Sequence, residues 1–488
     1  MTKIRQRYCW IIGLLLAAVC AACVEDPHYS TDSRYRLTLE ADTLSFDTLF
    51  TGVGSATGVL QVYNRNDVSL RLPSIRLAGG WSSPFRVNVD GQYGVDFRDV
   101  DLRANDSLFL FVEVTVDITE ADSIFAVEDS LLFTLPGGDT QRILLTASGW
   151  NAEHLHAVTL HGDTTFTAWR PYVIYDSLVV DNGVTLTLRP GTRLFFHPNA
   201  YLSVRGTIKA EGTRDSLVVF RGDRIDRMFS YLPYDYVNGQ WGGITLAPQS
   251  HDNVFTYCDI HSSNWGIRAG ASDMSQPTLT LDGTQIHNID HCGLDGTMIS
   301  GSAVNCLFTN AGEHCVRMLG GQFDFIHCTI ANFFAWSVYM YQGEAVSISN
   351  YDDKTVYPML GINFLNCLIT GRKDDELTGT VTTGSETNDL SAYAQYLFSH
   401  SLINSRDTVA PNYVSIVWES PDSTASGIKN FVPHPEDYQN NFRYDNFHLD
   451  TLSRARGIGD PTVAARVPYD RDGVLRDTVI DAGCYQFR

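Results

Sequence analysis

The sequence has little positive charge and almost no lysine. Of its 488 residues, 35 are Lys or Arg and 56 are Asp or Glu, so the formal net charge is −21 at pH 7. A protein that binds nucleic acid presents clustered Lys and Arg to the phosphate backbone. The acidic balance therefore excludes nucleic acid as the main partner.

The chain also lacks a helical pattern and a cysteine framework. No stretch repeats apolar residues with the 3.6-residue period and the caps of a helix. Seven of the ten cysteines lie beyond residue 23, with neither CxxC nor Cys/His zinc spacing: Cys258, Cys292, Cys306, Cys315, Cys328, Cys367 and Cys484. An odd number without such spacing favours buried small apolar side chains over disulfides. From the sequence we expect no cofactor and no metal site.

Residues 1–22 have the pattern of a secretory signal. Basic residues at 3, 5 and 7 precede an apolar run over 9–19, and small residues follow it. The run is shorter than the roughly 20 apolar residues that a spanning helix needs. We therefore expect a cleaved signal, followed by a polar linker over 23–34.

The segment Val19-Cys-Ala-Ala-Cys23 resembles a bacterial lipobox. The resemblance implies that Cys23 is the lipidated residue, because Ala22 precedes it, whereas the bulkier Val19 precedes Cys20. Plain secretion is the alternative. The acidic pair Glu25-Asp26 is similar to the tag of surface lipoproteins of the Bacteroidota. These resemblances imply an outer-membrane lipoprotein at the cell surface, with the periplasmic face left open.

Residues 35–149 alternate apolar and polar positions in short segments separated by turn residues. Examples are Gly58-Val-Leu-Gln-Val-Tyr63 and Ser107-Leu-Phe-Leu-Phe-Val-Glu-Val114. Period-two alternation predicts antiparallel strands, and this number of strands predicts a β-sandwich. The order of segments is similar to the immunoglobulin-like modules related to abnormal-spindle and major-sperm proteins. The resemblance implies a spacer, with partner binding as the alternative.

Residues 150–432 contain short self-similar units. One column of the alignment holds Cys258, Thr284, Cys306, Cys328, Cys367 and Ser401, and the residue two positions later is Ile260, Ile286, Phe308, Ile330, Ile369 and Ile403. A third column holds Ile267, Leu294, Val316 and Val338. Residues two apart on a strand point the same way, so stacked coils would bury each column as a ladder. The pattern predicts a right-handed parallel β-helix.

The flanks of this region carry a family resemblance. Arg189-Pro-Gly-Thr-Arg-Leu-Phe-Phe196 and Trp241-Gly-Gly-Ile244 resemble the opening of β-helix lipoproteins with the pectin-lyase-like fold. Tyr469-Asp-Arg-Asp-Gly473 and Asp481-Ala-Gly-Cys484 resemble their ending, which places a closing segment over 433–488. Members of that family include polysaccharide lyases, glycoside hydrolases and proteins of unassigned role.

The catalytic motifs of those enzymes are missing. Hydrolysis needs two carboxylates at a fixed separation, and a lyase needs a basic side chain with acidic calcium ligands. The most suggestive polar residues are His261 with His287, and the pairs Asp290-His291 and Glu313-His314. Two interpretations stand: an active site or metal cluster, or turn residues that bond to neighbouring coils. We assign no catalytic residue.

Aromatic side chains are the stronger indication of binding, because ring faces can stack on sugars. The candidate glycan-binding residues are Tyr231, Tyr234, Tyr236, Trp265, Phe334, Trp336 and Tyr339. The alternative is a flap whose rings are buried against the coil.

Taken together, these patterns predict an all-β chain, with an immunoglobulin-like β-sandwich followed by a right-handed parallel β-helix. The predicted function is that of a lipid-anchored envelope protein that binds a glycan or a protein partner at the outer membrane without catalysis. The alternatives are a polysaccharide lyase or glycoside hydrolase, and an accessory subunit of an outer-membrane complex.

Overall fold

A computed structural model describes residues 28–229, 231–334, 342–385, 388–406, 408–419, 430–432 and 446–488. The chain divides into two compact units, Met1–Asn151 and Ala152–Arg488. The described secondary structure is almost entirely β, so the predicted fold class is confirmed. In the described part of the chain, no helix is both long and apolar enough to cross a membrane. Cys23, Trp336, Val338 and Tyr339 lie outside the described residues.

The first unit contains strands β1 to β11. In chain order they are Tyr29–Ser30, Thr38–Leu39, Thr43–Phe50, Gly58–Asn64, Ser69–Leu77, Phe85–Val89, Gln92–Gly94, Asp96–Leu102, Asp106–Val114, Phe125–Thr134 and Thr140–Trp150. One sheet has the order β1-β5-β10-β11-β3, with β8 paired to β5, and the other has the order β2-β4-β9-β6-β7. Alternate residues of both sheets enter one apolar core, as in Leu60 and Val62 of β4 and Leu131 and Phe133 of β10. The unit is a β-sandwich.

The second unit contains strands β12 to β45. In chain order they are Glu153–Leu160, Thr164–Phe166, Tyr172–Val180, Thr185–Leu188, Arg193–Phe196, Tyr201–Val204, Thr207–Glu211, Val218–Gly222, Arg227–Phe229, Leu232–Pro233, Gly243–Leu246, Asn253–Thr256, Cys258–His261, Ile267–Ala269, Leu279–Asp282, Gln285–Ile289, Leu294–Thr297, Ser300–Val304, Leu307–Ala311, Val316–Leu319, Gly321–Ile326, Thr329–Asn332, Val346–Ser349, Tyr351–Asp352, Thr355–Val356, Met359–Leu365, Leu368–Gly371, Leu377–Thr378, Gly384–Ser385, Asn388–Asp389, Ala394–Ser399, Leu402–Ile403, Tyr413–Val414 and Val417–Trp418. A single helical turn, α1, spans Pro461–Ala464, and its N-cap Asp460 accepts the backbone N–H of Thr462.

Parallel pairing arranges most of these strands in three ladders. Sheet 1 runs β12-β14-β17-β22-β25-β28-β31-β34-β39, and sheet 2 runs β16-β19-β24-β27-β30-β33-β38-β43-β45. Sheet 3 runs β13-β15-β18-β23-β26-β29-β32-β37-β42-β44. Most coils contribute one strand to each sheet, and β14 joins sheets 1 and 2 by pairing with both β16 and β17. This is the architecture of a parallel β-helix.

The interior columns follow the predicted register. Ile260, Ile286, Phe308, Ile330, Ile369 and Ile403 lie opposite one another on successive strands of sheet 2. The Cys, Thr and Ser side chains two residues earlier are all buried, and the cysteines are free. In sheet 3, Phe325, Phe364 and Phe398 stack with ring centroids 4.6 and 4.7 Å apart.

The third column departs from the prediction at its last member. Ile267, Leu294 and Val316 are in register on sheet 1, but the residue opposite Val316 is Val346. Val346 therefore occupies the next position of this column, and Val338 lies outside the described residues.

The turns from sheet 3 into sheet 2 use one left-handed residue per coil. These residues are Tyr257, Gly283, Asn305, His327, Asn366 and His400, with φ between 45° and 56°. Gly, Asn and His tolerate this conformation better than most residues. The side chain of Asn305 also holds the C-terminal region, since it donates to the carbonyl of Tyr469 and accepts from Arg476.

The C-terminal residues 446–488 lie along the outer face of sheet 2. Outward side chains of four strands, Leu307, Ala331, Leu368 and Leu402, form an apolar cluster with Phe447, Ala482, Cys484 and Tyr485. Arg471 reaches further back and donates to the carbonyl of Gly283 at 3.0 Å and to Gln285 at 3.1 Å. This segment therefore covers the outer face of sheet 2. Among the described residues, its apolar cluster includes none from sheet 1.

Candidate functional site

The outer face of sheet 1 carries a column of polar side chains. Because Ile267, Leu294 and Val316 point inward, the next residue on each strand points outward. The resulting column, in register from strand to strand, is Thr245, Arg268, Asp295, Arg317, Ser347 and Thr378. The repeat that builds the interior therefore also aligns these hydrogen-bonding groups.

An ion pair lies at the centre of this column. Arg317 donates from Nε and Nη2 to the two carboxylate oxygens of Asp295, at 2.9 and 2.8 Å. This geometry fixes both planar groups. The hydrogen bond to Asp295 raises the pKa of Arg317 against the opposing effect of burial. The pair is thus a rigid, neutral unit that offers donors and acceptors side by side.

The column opens into a groove of about 450 Å³, which we call the polar groove. It is lined by Asp295, Thr297, Arg317, Met318, Leu319, Ser347, Ser349, Tyr351, Asp352 and Tyr357. Tyr351 and Asp352 belong to the β35–β36 hairpin, and Tyr357 follows it. The groove therefore combines charged groups, hydroxyls and two aromatic rings.

Trp265 lies beside this column, but its ring is engaged by protein groups. It stacks on His291 with ring centroids 4.7 Å apart, and the guanidinium groups of Arg268 and Arg317 lie 5.0 and 5.6 Å from its centroid. His291 in turn contacts Glu313 at 2.9 Å. Trp265 therefore orients the arginines of the column through cation–π contacts.

The carboxylate of Glu313, near the groove, is held as an anion. Glu313 accepts from Cys292 at 3.4 Å and lies 3.5 Å from Arg317. Burial opposes ionisation of Glu313, but the hydrogen bonds from His291 and Cys292 outweigh it and lower the pKa of the carboxyl. A glycosidase acid needs the opposite shift, a raised pKa. Glu313 is thus suited to hold a neighbouring cation and unsuited to protonate a leaving group.

The aromatic flap, residues 227–229 and 231–236, exposes some of its rings to solvent and packs others against the coil. Phe229 and Tyr231 are stacked at 5.6 Å and remain 52% and 55% exposed. Tyr234 lies under the guanidinium of Arg224 at 4.2 Å, and Tyr236 lines a pocket on the outer face of sheet 2. The flap thus exposes one aromatic pair.

Phe334 does not share that exposure. It is only 5% exposed, and one of its ring carbons lies 3.4 Å from the place where a Cβ of Gly312 would be. Because a buried ring presents no face to a sugar, this geometry does not favour Phe334 as a glycan-binding residue.

The pocket beside Tyr236 has a volume of about 200 Å³ and holds a His–Asp–His cluster. Oδ1 of Asp259 lies 3.0 Å from Nδ1 of His261 and 2.9 Å from Nε2 of His287. The two imidazole rings are stacked at 4.9 Å. Strands β24 and β27 place His261 and His287 directly opposite each other, with Asp259 two residues before His261 on the same face. Stacking of the coils therefore creates the cluster.

Burial shapes the ionisation of this cluster. It lowers the pKa of His261 against the attraction of Asp259, which favours a neutral imidazole. Burial also opposes ionisation of Asp259, but the two histidines outweigh it and lower the pKa of the carboxyl well below its ordinary value.

Sequence reasoning identified some of these residues and missed others. It paired His261 with His287, and the structure brings them together. It did not identify Asp259, the residue between the Cys and Ile columns, or the Arg268, Asp295 and Arg317 column. Asp259 and the arginine column are each one residue away from an apolar column in the sequence. That spacing was the signal that could have identified them as outward-facing residues.

Comparisons with known proteins do not name a family. No family model and no curated protein matches the chain. Solved structures that match parts of it include a PapD-like domain of human CEP192 (14% identity, 27% of this chain and 96% of that chain, TM-score 0.17). Others are a family 123 glycoside hydrolase from Clostridium perfringens (10% identity, 25% of this chain and 26% of that chain, TM-score 0.18) and a protein of unknown function from Porphyromonas gingivalis W83 (15% identity, 26% of this chain and 60% of that chain, TM-score 0.17). TM-scores this low carry no argument about fold or function.

Proposed function

We propose that this chain is a lipid-anchored cell-envelope protein that binds a neutral glycan in the polar groove without cleaving it. The observation that carries the proposal is the in-register column of hydrogen-bonding side chains along a groove of about 450 Å³. Ligand sites combine a concave surface with a few fixed polar groups.

The chemistry of the groove matches sugar hydroxyls. Each hydroxyl both donates and accepts, and the Asp295–Arg317 pair presents an acceptor and a donor in fixed positions. Ser347 and Ser349 extend the row along β34, and the rings of Tyr351 and Tyr357 supply apolar surface for a sugar face.

The charge of the groove favours a neutral glycan over an acidic one. The central arginine is neutralised by Asp295, and Asp352 adds a further negative charge to the lining. A polyanionic chain would meet these carboxylates at short range, which is unfavourable. The exposed Phe229–Tyr231 pair supports binding by the flap as a second contact.

The lipid anchor rests on the sequence alone. The short apolar run and the small residues before Cys23 support lipidation at that cysteine. One acyl-modified residue would hold the protein at a bilayer without spanning it. Expressed in a Gram-negative host, the full chain should partition into the detergent phase, and Cys23→Ala should move it to the aqueous phase. Equal partitioning of both would overturn the anchor while leaving the groove proposal intact.

Glycan binding is tested by retardation of the purified protein in gels that contain neutral polysaccharides, with polygalacturonate as the acidic comparison. We expect retardation by at least one neutral polymer, and at least about 10-fold weaker binding by Arg317→Ala, since a hydrogen bond to a charged group contributes about 1.5–3 kcal/mol. The matched control is Arg189→Ala, which breaks another arginine–carboxylate pair of the coil, with Glu211.

Three outcomes decide the matter. Retention that Arg317→Ala abolishes and Arg189→Ala preserves supports the proposal, provided that circular dichroism shows both variants folded. Retention by polygalacturonate alone, or equal retention by both variants, overturns the neutral-glycan assignment. New reducing or unsaturated ends in the same incubations would overturn the non-catalytic role.

A further inference from the structure

We propose that Asp259, His261 and His287 form a binding site for one divalent first-row transition-metal ion, such as Zn²⁺. This site is on the outer face of sheet 2 and is independent of glycan binding in the polar groove. One ligand atom from each of the three side chains lies within 4.8 Å of the others.

The fold holds these ligand atoms in place. His261 and His287 occupy equivalent positions on adjacent parallel strands, and Asp259 shares a strand with His261. Trp241 fixes the backbone beside them, because its indole Nε1 donates to the carbonyl of His261 at 2.9 Å. Rigid strands define a site more closely than loops do.

A buried nitrogen without a partner points to a missing ligand. The side chain of His261 is only 6% exposed, yet its Nε2 atom has no hydrogen-bond partner among the described residues. Leaving such a group unsatisfied costs free energy. The side chain lines the pocket of about 200 Å³, so a bound ion with its water would have room beside it.

The donor set selects the class of metal. Two imidazoles and one carboxylate suit zinc and neighbouring first-row divalent ions, whereas calcium and magnesium prefer oxygen ligands throughout. Three protein ligands leave an open coordination position, and Gln285, Thr309 and Asn310 line the same pocket with polar groups. Each of those groups can hydrogen-bond a metal-bound water.

A hydrogen-bonded trio without metal is the competing account. In it, Asp259 accepts a hydrogen bond from each imidazole, at the observed distances of 3.0 Å for His261 and 2.9 Å for His287. That account leaves Nε2 of His261 unsatisfied. Metal binding separates the two accounts.

The test uses the full purified chain, stripped with a chelator and then dialysed against Zn²⁺. We expect one tightly bound zinc per chain by elemental mass spectrometry, and visible absorption from Co²⁺ in the same site. His287→Ala and Asp259→Asn should each weaken the affinity by more than about 100-fold, because even the loss of outer-shell groups costs 10–100-fold. The matched control His251→Ala removes a histidine that pairs with Asp252 outside the cluster, and it should leave affinity unchanged.

Thermal unfolding keeps the test valid if a variant is destabilised. Zn²⁺ should raise the melting temperature of the wild type and of His251→Ala, and should leave that of folded Asp259→Asn unchanged. No stoichiometric zinc in the wild type, or equal zinc binding and thermal shift in Asp259→Asn, would overturn the site. Stoichiometric binding of Ca²⁺ in place of Zn²⁺ would overturn the assignment of the metal.

Discussion

The sandwich and the coil bury apolar residues in different ways. In the sandwich, mostly antiparallel strands of up to eleven residues place alternate side chains against a facing sheet, as β9 and β10 do. In the coil, mostly shorter strands stack each buried side chain on its counterpart in the next coil, as in the Phe325, Phe364 and Phe398 stack.

This difference bears on function. A coil that repeats its inward columns also repeats its outward columns, so polar residues far apart in sequence come into register. Arg268, Asp295 and Arg317 form such a set, as do His261 and His287. A sandwich strand offers no comparable repetition along a single face. We therefore place both proposed sites on the coil.

The largest expected effect compares the two cores. Phe364→Ala and Phe133→Ala each remove a fully buried ring and should each cost about 3–5 kcal/mol. Phe364 also loses stacking on two neighbours, each worth about 0.5–1.5 kcal/mol. Calorimetry of the full chain should show two transitions, with each variant lowering only that of its own unit. Equal shifts of both transitions by either variant would refute the separation.

Two glycines, one in each unit, both have positive φ but differ in the space around them. Gly243 in the coil has φ +104°, and a Cβ there would lie 1.8 Å from the carbonyl oxygen of Trp265, whereas Gly91 in the sandwich has φ +81° and open space. Gly91→Ala should cost about 1–2 kcal/mol, the usual strain of a left-handed residue. Gly243→Ala should cost more than about 3 kcal/mol, because the next coil must also move. Denaturant unfolding measures both, and equal losses would contradict close stacking of the coils.

Two ion pairs differ by burial. Arg71 pairs with Asp101 on the sandwich with both side chains nearly half exposed, while Asp295 in the coil is only 10% exposed. Arg71→Ala should cost less stability than Arg317→Ala, because solvent screens the exposed Arg71–Asp101 pair. Arg317→Ala should cost about 1–3 kcal/mol, because it leaves Asp295 buried without its partner. Urea titrations measure both losses. A larger loss for Arg71→Ala than for Arg317→Ala would show that the Asp295–Arg317 pair is more hydrated than its geometry indicates.

The smallest effect is a pH dependence of the coil. Burial, reinforced by the charge of Arg476, holds the pKa of His327 well below its ordinary value. Below about pH 6.5, His327 becomes protonated in the unfolded chain but stays neutral in the folded coil. The free energy of unfolding therefore falls as the pH drops below this value. His327→Gln, which keeps an acceptor for Asn366, should flatten this decline of the coil transition between about pH 6.5 and 5. An unchanged slope would mean that His327 is protonated in the folded coil.

The sequence predicted the coil through its columns because every coil repeats the same contacts. It was less informative where the repeat is interrupted: Val346 lies opposite Val316, and Val338, which the alignment placed in that column, lies outside the described residues. Phe334 was assigned from its residue type alone, which does not reveal that its ring is buried. Asp259 and the arginine column could be identified only once the inward and outward faces of each strand were known. The register of the paired strands shows those faces.

Hydrogen exchange with and without a retained neutral polysaccharide tests the central claim, that the outer face of sheet 1 is the binding surface. The account predicts added protection in peptides that cover Leu294–Thr297, Val316–Leu319 and Val346–Ser349, with no change across the sandwich strands. Protection confined to the sandwich, or binding with no change in those three strands, would contradict it.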